Sequence, residues 1–401
     1  MKEVFIVEGL RTPIGKYAGA MKDIRPDDMA AILIKEVVKR TFEANGIPKE
    51  NIEDVILGNA NGAGEENRNV ARMCALLGNL PLSVAGVTVN RLCGSGMQAV
   101  IDANRAIKNN EGECFLAGGV ESMTRAPFVM GKQSEAWGRK AEIYDTTIGW
   151  RFTNPALAKM YYPFSMGETA ENVAEKYNIS RERQDEFAVD SQKKAKNAIE
   201  TGRFNNEIMP VEIRNKKETV IFNMDEFPRF DTTLEKLSKL KAAFREGGTV
   251  TAGNASGVND GASMLMLASE EFVKKYGLRP RARIVSSAVA GVDPSCMGIG
   301  PVPATEKALK RAGLSIDDID LIELNEAFAA QSLACIDLLK LDPSKINVNG
   351  GAIALGHPLG SSGSRIIITL LNELEKRNKK NGLAMMCIGV GQGIATIIER
   401  L

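Results

Sequence analysis

The sequence predicts an α/β protein made of two similar halves with a segment of different character inserted between them. Three observations carry that reading. A β-branched strand followed by a long amphipathic helix opens the chain, a whole strand-turn-helix-turn-strand unit occurs twice, and the stretch between the two copies changes in composition.

Residues 2–7 alternate toward a strand, and 26–45 carry apolar residues at helical spacing, with Pro26 suited to the first turn and Gly46 to the stop. The polar turn and buried strand of 46–56 read like 313–322, where Gly313 again ends a helix. The longer parallel starts with Val87-Thr88-Val89-Asn90, which leads into Cys93-Gly94-Ser95-Gly96, a helix over 97–108 and a strand over 114–117 ending in Gly118-Gly119. Its second copy runs from a strand at Ile346-Asn347-Val348-Asn349 through Gly350-Gly351 and Gly356-His357-Pro358-Leu359-Gly360. A helix over 364–376 and a strand over 383–387, closed by Gly389, complete it. One such match arises readily by chance among βαβ units; two in the same order argue for duplication.

Between the copies, 121–248 is rich in Pro, Trp, Tyr and charge, with one clear amphipathic helix over 184–201. Residues 249–254 return to strand and Gly-rich turn, and 262–268 read as a buried strand completing the first half. The expected division is therefore an N-terminal half, 1–120, completed by 249–275; a loop domain, 121–248; and a C-terminal half, 276–401. Duplicated halves pack face to face, and sites form where their strand-end loops converge.

Composition narrows the function. The 401 residues can bury a large core without disulfide or metal staples. With 51 Lys+Arg against 50 Asp+Glu, no global field recruits nucleic acid or an acidic membrane, so an anionic ligand has to meet a local cation. One histidine and six cysteines without a CxxC or CxH pair leave no zinc site, and no metal is expected. Irregularly spread cysteines read as free thiols in a reducing compartment. The opening residues lack the apolar core of a signal peptide, and no apolar run approaches the ~18 residues of a membrane span. A soluble cytoplasmic protein is the expectation.

Cys93 follows a strand, is flanked by glycines and stands at the start of a helix, where backbone N–H groups and the helix dipole favour a thiolate. A small buried hydrophobe is the other ordinary fate of a free cysteine. His357, the only histidine, occupies the equivalent turn of the second copy, so a Cys–His pair is geometrically reasonable beside a structural role. Cys387 ends the last core strand on the same face, as a second thiol or as core. Asn325-Glu326 interrupts an apolar strand-to-helix run, to cap the helix or bind a site water. Cys74, Cys114, Cys296 and Cys335 read as core. No G-x-G-x-x-G follows the first strand, which weighs against a dinucleotide-binding oxidoreductase.

Taken together these residues resemble the thiolase family over essentially the whole chain. The matching pieces are Arg11-Thr12-Pro13-Ile14-Gly15, Asn90-Arg91-Leu92-Cys93-Gly94-Ser95-Gly96, Gly118-Gly119-Val120-Glu121-Ser122-Met123, Thr169-Ala170-Glu171-Asn172-Val173-Ala174, Asn254-Ala255-Ser256-Gly257, Asn325-Glu326-Ala327-Phe328, Gly356-His357-Pro358-Leu359-Gly360 and Cys387-Ile388-Gly389. The resemblance implies a five-layer α-β-α-β-α fold with an inserted loop domain that holds coenzyme A, and a homodimer or homotetramer. It implies Cys93 as the acylated nucleophile, His357 as its base, Cys387 as the second acid/base, Asn325 as the holder of a water, and the N–H groups of Cys93 and Gly389 as an oxyanion hole. For coenzyme A it implies Arg229 near the adenine and phosphates, Ala252 and Ser256 along the pantetheine, and Met166, Met297 and Phe328 at the reactive end. Coenzyme A is then a substrate, and no separate cofactor is expected.

Within the family, Ser165-Met166-Gly167 lacks the histidine common before this Met-Gly in acetoacetyl-CoA thiolases. The segments 63–73, 125–132, 145–152 and 389–393 look like the 3-oxoadipyl-CoA thiolase subgroup, which forms succinyl-CoA and acetyl-CoA in aromatic-acid catabolism. A terminal carboxylate needs a cation, and Arg125, Lys132, Arg139 and Arg151 supply candidates beside solvated-surface roles. The competing readings are an acetyl-CoA acetyltransferase, a ketoacyl synthase, which would use two histidines or His/Asn, and a non-catalytic acyl-CoA-binding protein, which would have lost the nucleophile.

Overall fold

The computed structural model describes residues 2–133, 135–214 and 218–401; Met1 and four positions of the predicted loop domain lie outside them. In chain order the first half supplies β1 (Val4–Arg11), α1 (Pro26–Thr41), β2 (Asp54–Gly58), α2 (Val70–Leu77), β3 (Ala85–Val89), α3 (Ser95–Lys108) and β4 (Cys114–Ser122). The insertion adds α4 (Met166–Lys176) and α5 (Arg181–Glu200) before β5 (Asn259–Ser269) rejoins the first sheet. The second half contributes β6 (Ala282–Gly291), α6 (Pro301–Ala312), β7 (Leu321–Leu324), α7 (Ala329–Leu339), α8 (Leu359–Lys376), β8 (Asn381–Ile388) and β9 (Gln392–Arg400).

The duplication is visible in strand order. The first half runs β3-β2-β4-β5-β1, with β2 parallel to β3 and β4, and β5 antiparallel to β4 and β1. The second runs β7-β8-β9-β6, with β7 parallel to β8 and the other neighbours antiparallel, and Ile346 bridges Ile322 in parallel where the first half has β3. The two sheets touch edge to edge through Phe5↔Arg283 and Ile6↔Ala282.

Apolar faces stack these pieces into five layers. Side chains of α3 (Val100, Ile107) and α8 (Ile367, Leu371) share one core with the inner faces of both sheets. Helices α1 and α2 cover the outer face of the first sheet, and α6 and α7 that of the second. Cys74, Cys114, Cys296 and Cys335 are buried and free. The central helices approach so closely that a Cβ on Gly363 would lie 2.4 Å from the Met97 nitrogen, and one on Gly96 would lie 2.6 Å from the Gly360 oxygen. Part of the glycine content is thus spent bringing the first turns of α3 and α8 together.

Two predicted strands are absent. Residues 346–349 form only the Ile346 bridge, because Asn347 turns to a φ of 43° and its side chain replaces the ladder: Oδ1 accepts from Leu324 N–H at 2.9 Å and Nδ2 donates to Leu324 O at 2.8 Å. Residues 249–254 are loop, because the Glu171 carboxylate takes the N–H groups of Thr249 (2.9 Å) and Val250 (2.8 Å) that a strand would share. Helix α8 begins five residues before the predicted 364, through a run of Gly and Ser that carries no apolar period, and α5 begins three before 184, where Ser180 caps it. The chain from the insertion is fastened to β1 by buried Arg11, which pairs with Glu207 at 2.8 Å and Asp225 at 2.7 Å.

Candidate active site

Beyond β3 the chain makes a tight turn. Asn90 Oδ1 accepts the Leu92 N–H at 2.8 Å, and Ser95 Oγ donates to Leu92 O at 2.6 Å while accepting from Arg91 N–H at 2.9 Å. Between these clamps Leu92 sits at a φ of 47°, a left-handed conformation costly for a side chain with a Cβ and tolerated here because hydrogen bonds over-determine it. The turn delivers Cys93 just ahead of α3. Across from it, the three-residue loop joining β8 to β9 holds a second left-handed non-glycine, Val390 at a φ of 62°.

The N–H groups of Gly389 and of Cys93 itself lie near enough to the Cys93 sulfur to favour its anion. Burial nevertheless pushes the thiol up to about 11, with the Glu121 charge adding to the rise and the two N–H groups only partly opposing it. The resting residue is thus a thiol near neutral pH, not the thiolate expected from its place before a helix. Iodoacetamide inactivation of the free enzyme should accelerate about tenfold per pH unit between about pH 7 and pH 9. A rate that levels off below about pH 8 would mean a thiol activated at rest.

His357 stands in the turn before α8. Its N–H donates to Asn259 Oδ1 at 3.0 Å, and the preceding Gly356 has a φ of 105° with Asn259 where a Cβ would go. Nδ1 lies 2.6 Å from Ser362 Oγ, whose own hydrogen goes to Pro358 O at 2.8 Å. Nδ1 is therefore the donor, and Nε2 keeps its lone pair. Nε2 faces Asn325 Nδ2 at 3.4 Å, while Asn325 Oδ1 is buried with no partner among the described residues. Burial, reinforced by the positive charge of Arg365, holds the imidazole down to about 3, so it is a neutral base throughout the physiological range.

Cys387, the next-to-last residue of β8, is 1% exposed and packs with Met297, Phe328 and half-buried Met166. Burial drives its thiol well above the ordinary value, and Cys93 is near enough to add to the shift. A cavity of about 450 Å³ opens over Cys93. Leu92, Met166, Gly389 and Val390 line it at the thiol, and residues 146–151 form another wall. A larger cavity, about 510 Å³, lies between α5 and α7 and carries none of these thiols or the imidazole on its walls.

The expected coenzyme A residues divide. Met166, Met297 and Phe328 pack in one apolar cluster with Cys387, and Ser256 N–H bonds Ala327 O at 2.9 Å beside them. Ala252 is exposed, and so is Arg229, whose guanidinium lies 5.3 Å over the Phe227 ring. Neither lines the Cys93 cavity. Of the four cations expected near a substrate carboxylate, only Arg151 lines it. Arg125 is taken by Glu65, at 2.7 Å, and by Lys22 O, at 3.0 Å, while Lys132 and Arg139 are exposed elsewhere.

Two functional neighbours escaped the sequence reading. Ser362, which sets the imidazole tautomer, is one serine among three in a helix start that lies partly ahead of the predicted 364. Glu121 accepts from the N–H groups of Ala60 (2.8 Å), Asn61 (3.1 Å) and Gly360 (2.8 Å), tying the cavity wall to the first turn of α8, and burial raises it to about 7. Its signals were a lone acid in an apolar strand run and its place in the matching piece 118–123, to which no role was given.

The comparisons agree with this architecture. Residues 4–271 match the family model for the thiolase N-terminal domain and residues 278–400 that for the thiolase C-terminal domain. The chain is 57% identical to the 3-oxoadipyl-CoA/3-oxo-5,6-dehydrosuberyl-CoA thiolase of Escherichia coli K12 and 55% identical to the β-ketoadipyl-CoA thiolase of Pseudomonas aeruginosa, each over 100% of both chains. The crystal structure of the Bacillus anthracis acetyl-CoA acetyltransferase superposes with a TM-score of 0.93 at 44% identity, covering 100% of this chain and 99% of the other. Full-length relatives at this identity, with both domain models matched in order, leave one assignment: the chain belongs to the thiolase family.

Proposed function

We propose that this chain catalyses CoA-dependent thiolysis of 3-oxoadipyl-CoA to succinyl-CoA and acetyl-CoA, and the reverse Claisen condensation. The observation that carries the reading is the Cys93 thiol lying under the N–H groups of Cys93 and Gly389, on the floor of a cavity and near a second thiol. The names of the full-length relatives supply the acyl chain.

The residues divide the work as follows. His357 Nε2 takes the Cys93 proton as the sulfur attacks the keto carbon, so the thiolate exists only at the moment of attack. The N–H groups of Cys93 and Gly389 stabilise the resulting oxyanion. When the C2–C3 bond breaks, its electron pair stays on C2 as the enolate of acetyl-CoA. The enolate oxygen is held by His357 and by a water on the free Asn325 Oδ1, and the Cys387 thiol protonates C2. Cys387 then accepts the proton of an incoming CoA thiol, whose sulfur attacks the acyl group, and Cys93 leaves and recovers its proton from His357. Every proton and electron pair is accounted for by the chain and its two substrates. Arg229, Ala252 and Ser256 would carry the distal coenzyme A, with Met166, Met297 and Phe328 around its reactive end.

No described helix is long and apolar enough to cross a membrane. We infer a cytoplasmic enzyme that assembles as a homodimer or homotetramer. Support comes from the outermost strand β3, whose edge is unpaired and where Val87 is 42% and nearby Leu82 82% exposed.

A kcat/KM panel over 3-oxoacyl-CoA esters tests the substrate. The expected result is a preference for 3-oxoadipyl-CoA over esters without a terminal carboxylate. Acetoacetyl-CoA turned over as well or better would make the chain an acetyl-CoA acetyltransferase instead.

A further inference from the structure

Only one positive charge lines the Cys93 cavity among the described residues, and the fold takes trouble to aim it. Arg151 is half-buried and forms no ion pair there. Its one hydrogen-bond partner among the described residues is Asn61 Oδ1, at 3.0 Å from Nη2, so Nε and Nη1 remain available. Asn61 is itself held: its Nδ2 donates to Thr146 Oγ1 at 3.0 Å and its N–H to Glu121. The loop bearing Arg151 is pinned by Trp150 Nε1, which donates to Phe164 O at 3.0 Å. A guanidinium oriented through one nitrogen, with two N–H-bearing atoms left over, is preorganised to form a forked pair with a carboxylate.

The negative charge in the same cavity does not cancel it. Glu121 directs its oxygens at the backbone N–H groups of Ala60, Asn61 and Gly360. Those donors hold its oxygens in place, and among the described residues it forms no ion pair with Arg151. Arg125, the nearer candidate by sequence, has already spent its fork on Glu65.

We propose that Arg151, oriented by Asn61, is the subsite for the terminal carboxylate of the acyl chain, and that it makes the enzyme selective for dicarboxylic over monocarboxylic 3-oxoacyl-CoA esters. This rests on the thiolase reading of Cys93 above. The acyl group of 3-oxoadipyl-CoA then spans from the Cys93 sulfur to the Arg151 fork, and an ester ending in a methyl group leaves the guanidinium without its partner.

The test compares 3-oxoadipyl-CoA with 3-oxohexanoyl-CoA, which has a methyl in place of the carboxylate. Arg151→Met should lower kcat/KM for 3-oxoadipyl-CoA about 100-fold while 3-oxohexanoyl-CoA stays within about threefold, because a charge-assisted fork is lost for one substrate only. Arg151→Lys, which keeps the charge and loses the fork, should fall between, and Arg125→Met should leave the ratio unchanged. If Arg151→Met depresses both esters alike, the residue merely supports its loop and the subsite is wrong. If Arg125→Met, and not Arg151→Met, erases the preference, the carboxylate binds elsewhere. Failure of the underlying reading looks different: a wild-type enzyme that shows no acyl adduct on Cys93 with either ester.

Discussion

Cys93→Ser is expected to abolish thiolysis, lowering kcat by at least about 10⁴-fold, while the variant keeps its fold and still binds coenzyme A esters. The size follows from the proton inventory. The imidazole that has to take the nucleophile's proton is held down to about 3. A base that weak can receive a thiol proton only as the carbon–sulfur bond forms, and an alcohol, several pKa units less acidic, leaves it too little driving force. Nothing else nearby substitutes, since Glu121 is committed to three backbone N–H groups and Cys387 is a buried thiol raised well above its ordinary value. In wild-type enzyme given 3-oxoadipyl-CoA without CoA, mass spectrometry of the digested protein should find a succinyl group on the peptide containing Cys93. No adduct, together with a serine variant as active as wild type, would refute Cys93 as the nucleophile, and no adduct with no turnover by wild type would leave an acyl-CoA-binding protein with a thiolase fold.

How far the site could be read before the structure depended on whether a residue's job was written in its neighbours along the chain. The Cys93 and His357 turns were legible because each lies in a run of glycines between a strand signal and a helix, and because the run occurs twice. Whole-chain duplication was legible for the same reason. What could not be read depends on partners far away. Arg125 and Arg151 look alike in sequence; Glu65, sixty residues upstream, captures the first and leaves the second facing the cavity. The strand predicted at 346–349 was lost to a side chain, since Asn347 bonds both backbone groups of Leu324 and so imitates the ladder. The thiolate expectation meets a competing effect: a helix start favours the anion, but enclosure by Leu92, Met166, Gly389 and Val390 disfavours it more. Leu92 and Val390 at positive φ gave no signal, because nothing in a leucine or valine announces a left-handed backbone.

His357→Ala is expected to cost about 10³-fold or more in kcat, with KM for the acyl-CoA little changed, because the residue acts on protons and on the enolate rather than on substrate affinity. With one histidine in the chain, no second imidazole can take over. Ser362→Ala separates the ring's presence from its orientation. It removes the acceptor that keeps the proton on Nδ1, 2.6 Å away, and frees the ring to present the wrong nitrogen, so kcat should fall about tenfold at unchanged KM. The protonation state can be read directly. In untagged protein labelled at histidine, a single imidazole signal is expected, and it belongs to His357. Its folded pKa is lowered from 6.5 to about 3, so the signal should stay flat as the pH is lowered from about 8 to about 5, the ring remaining neutral throughout. A titration midpoint near the ordinary value would mean that neither burial nor Arg365 controls the ring. The proton would then rest on His357 as imidazolium in part of the working range, and attack by Cys93 would need a different base.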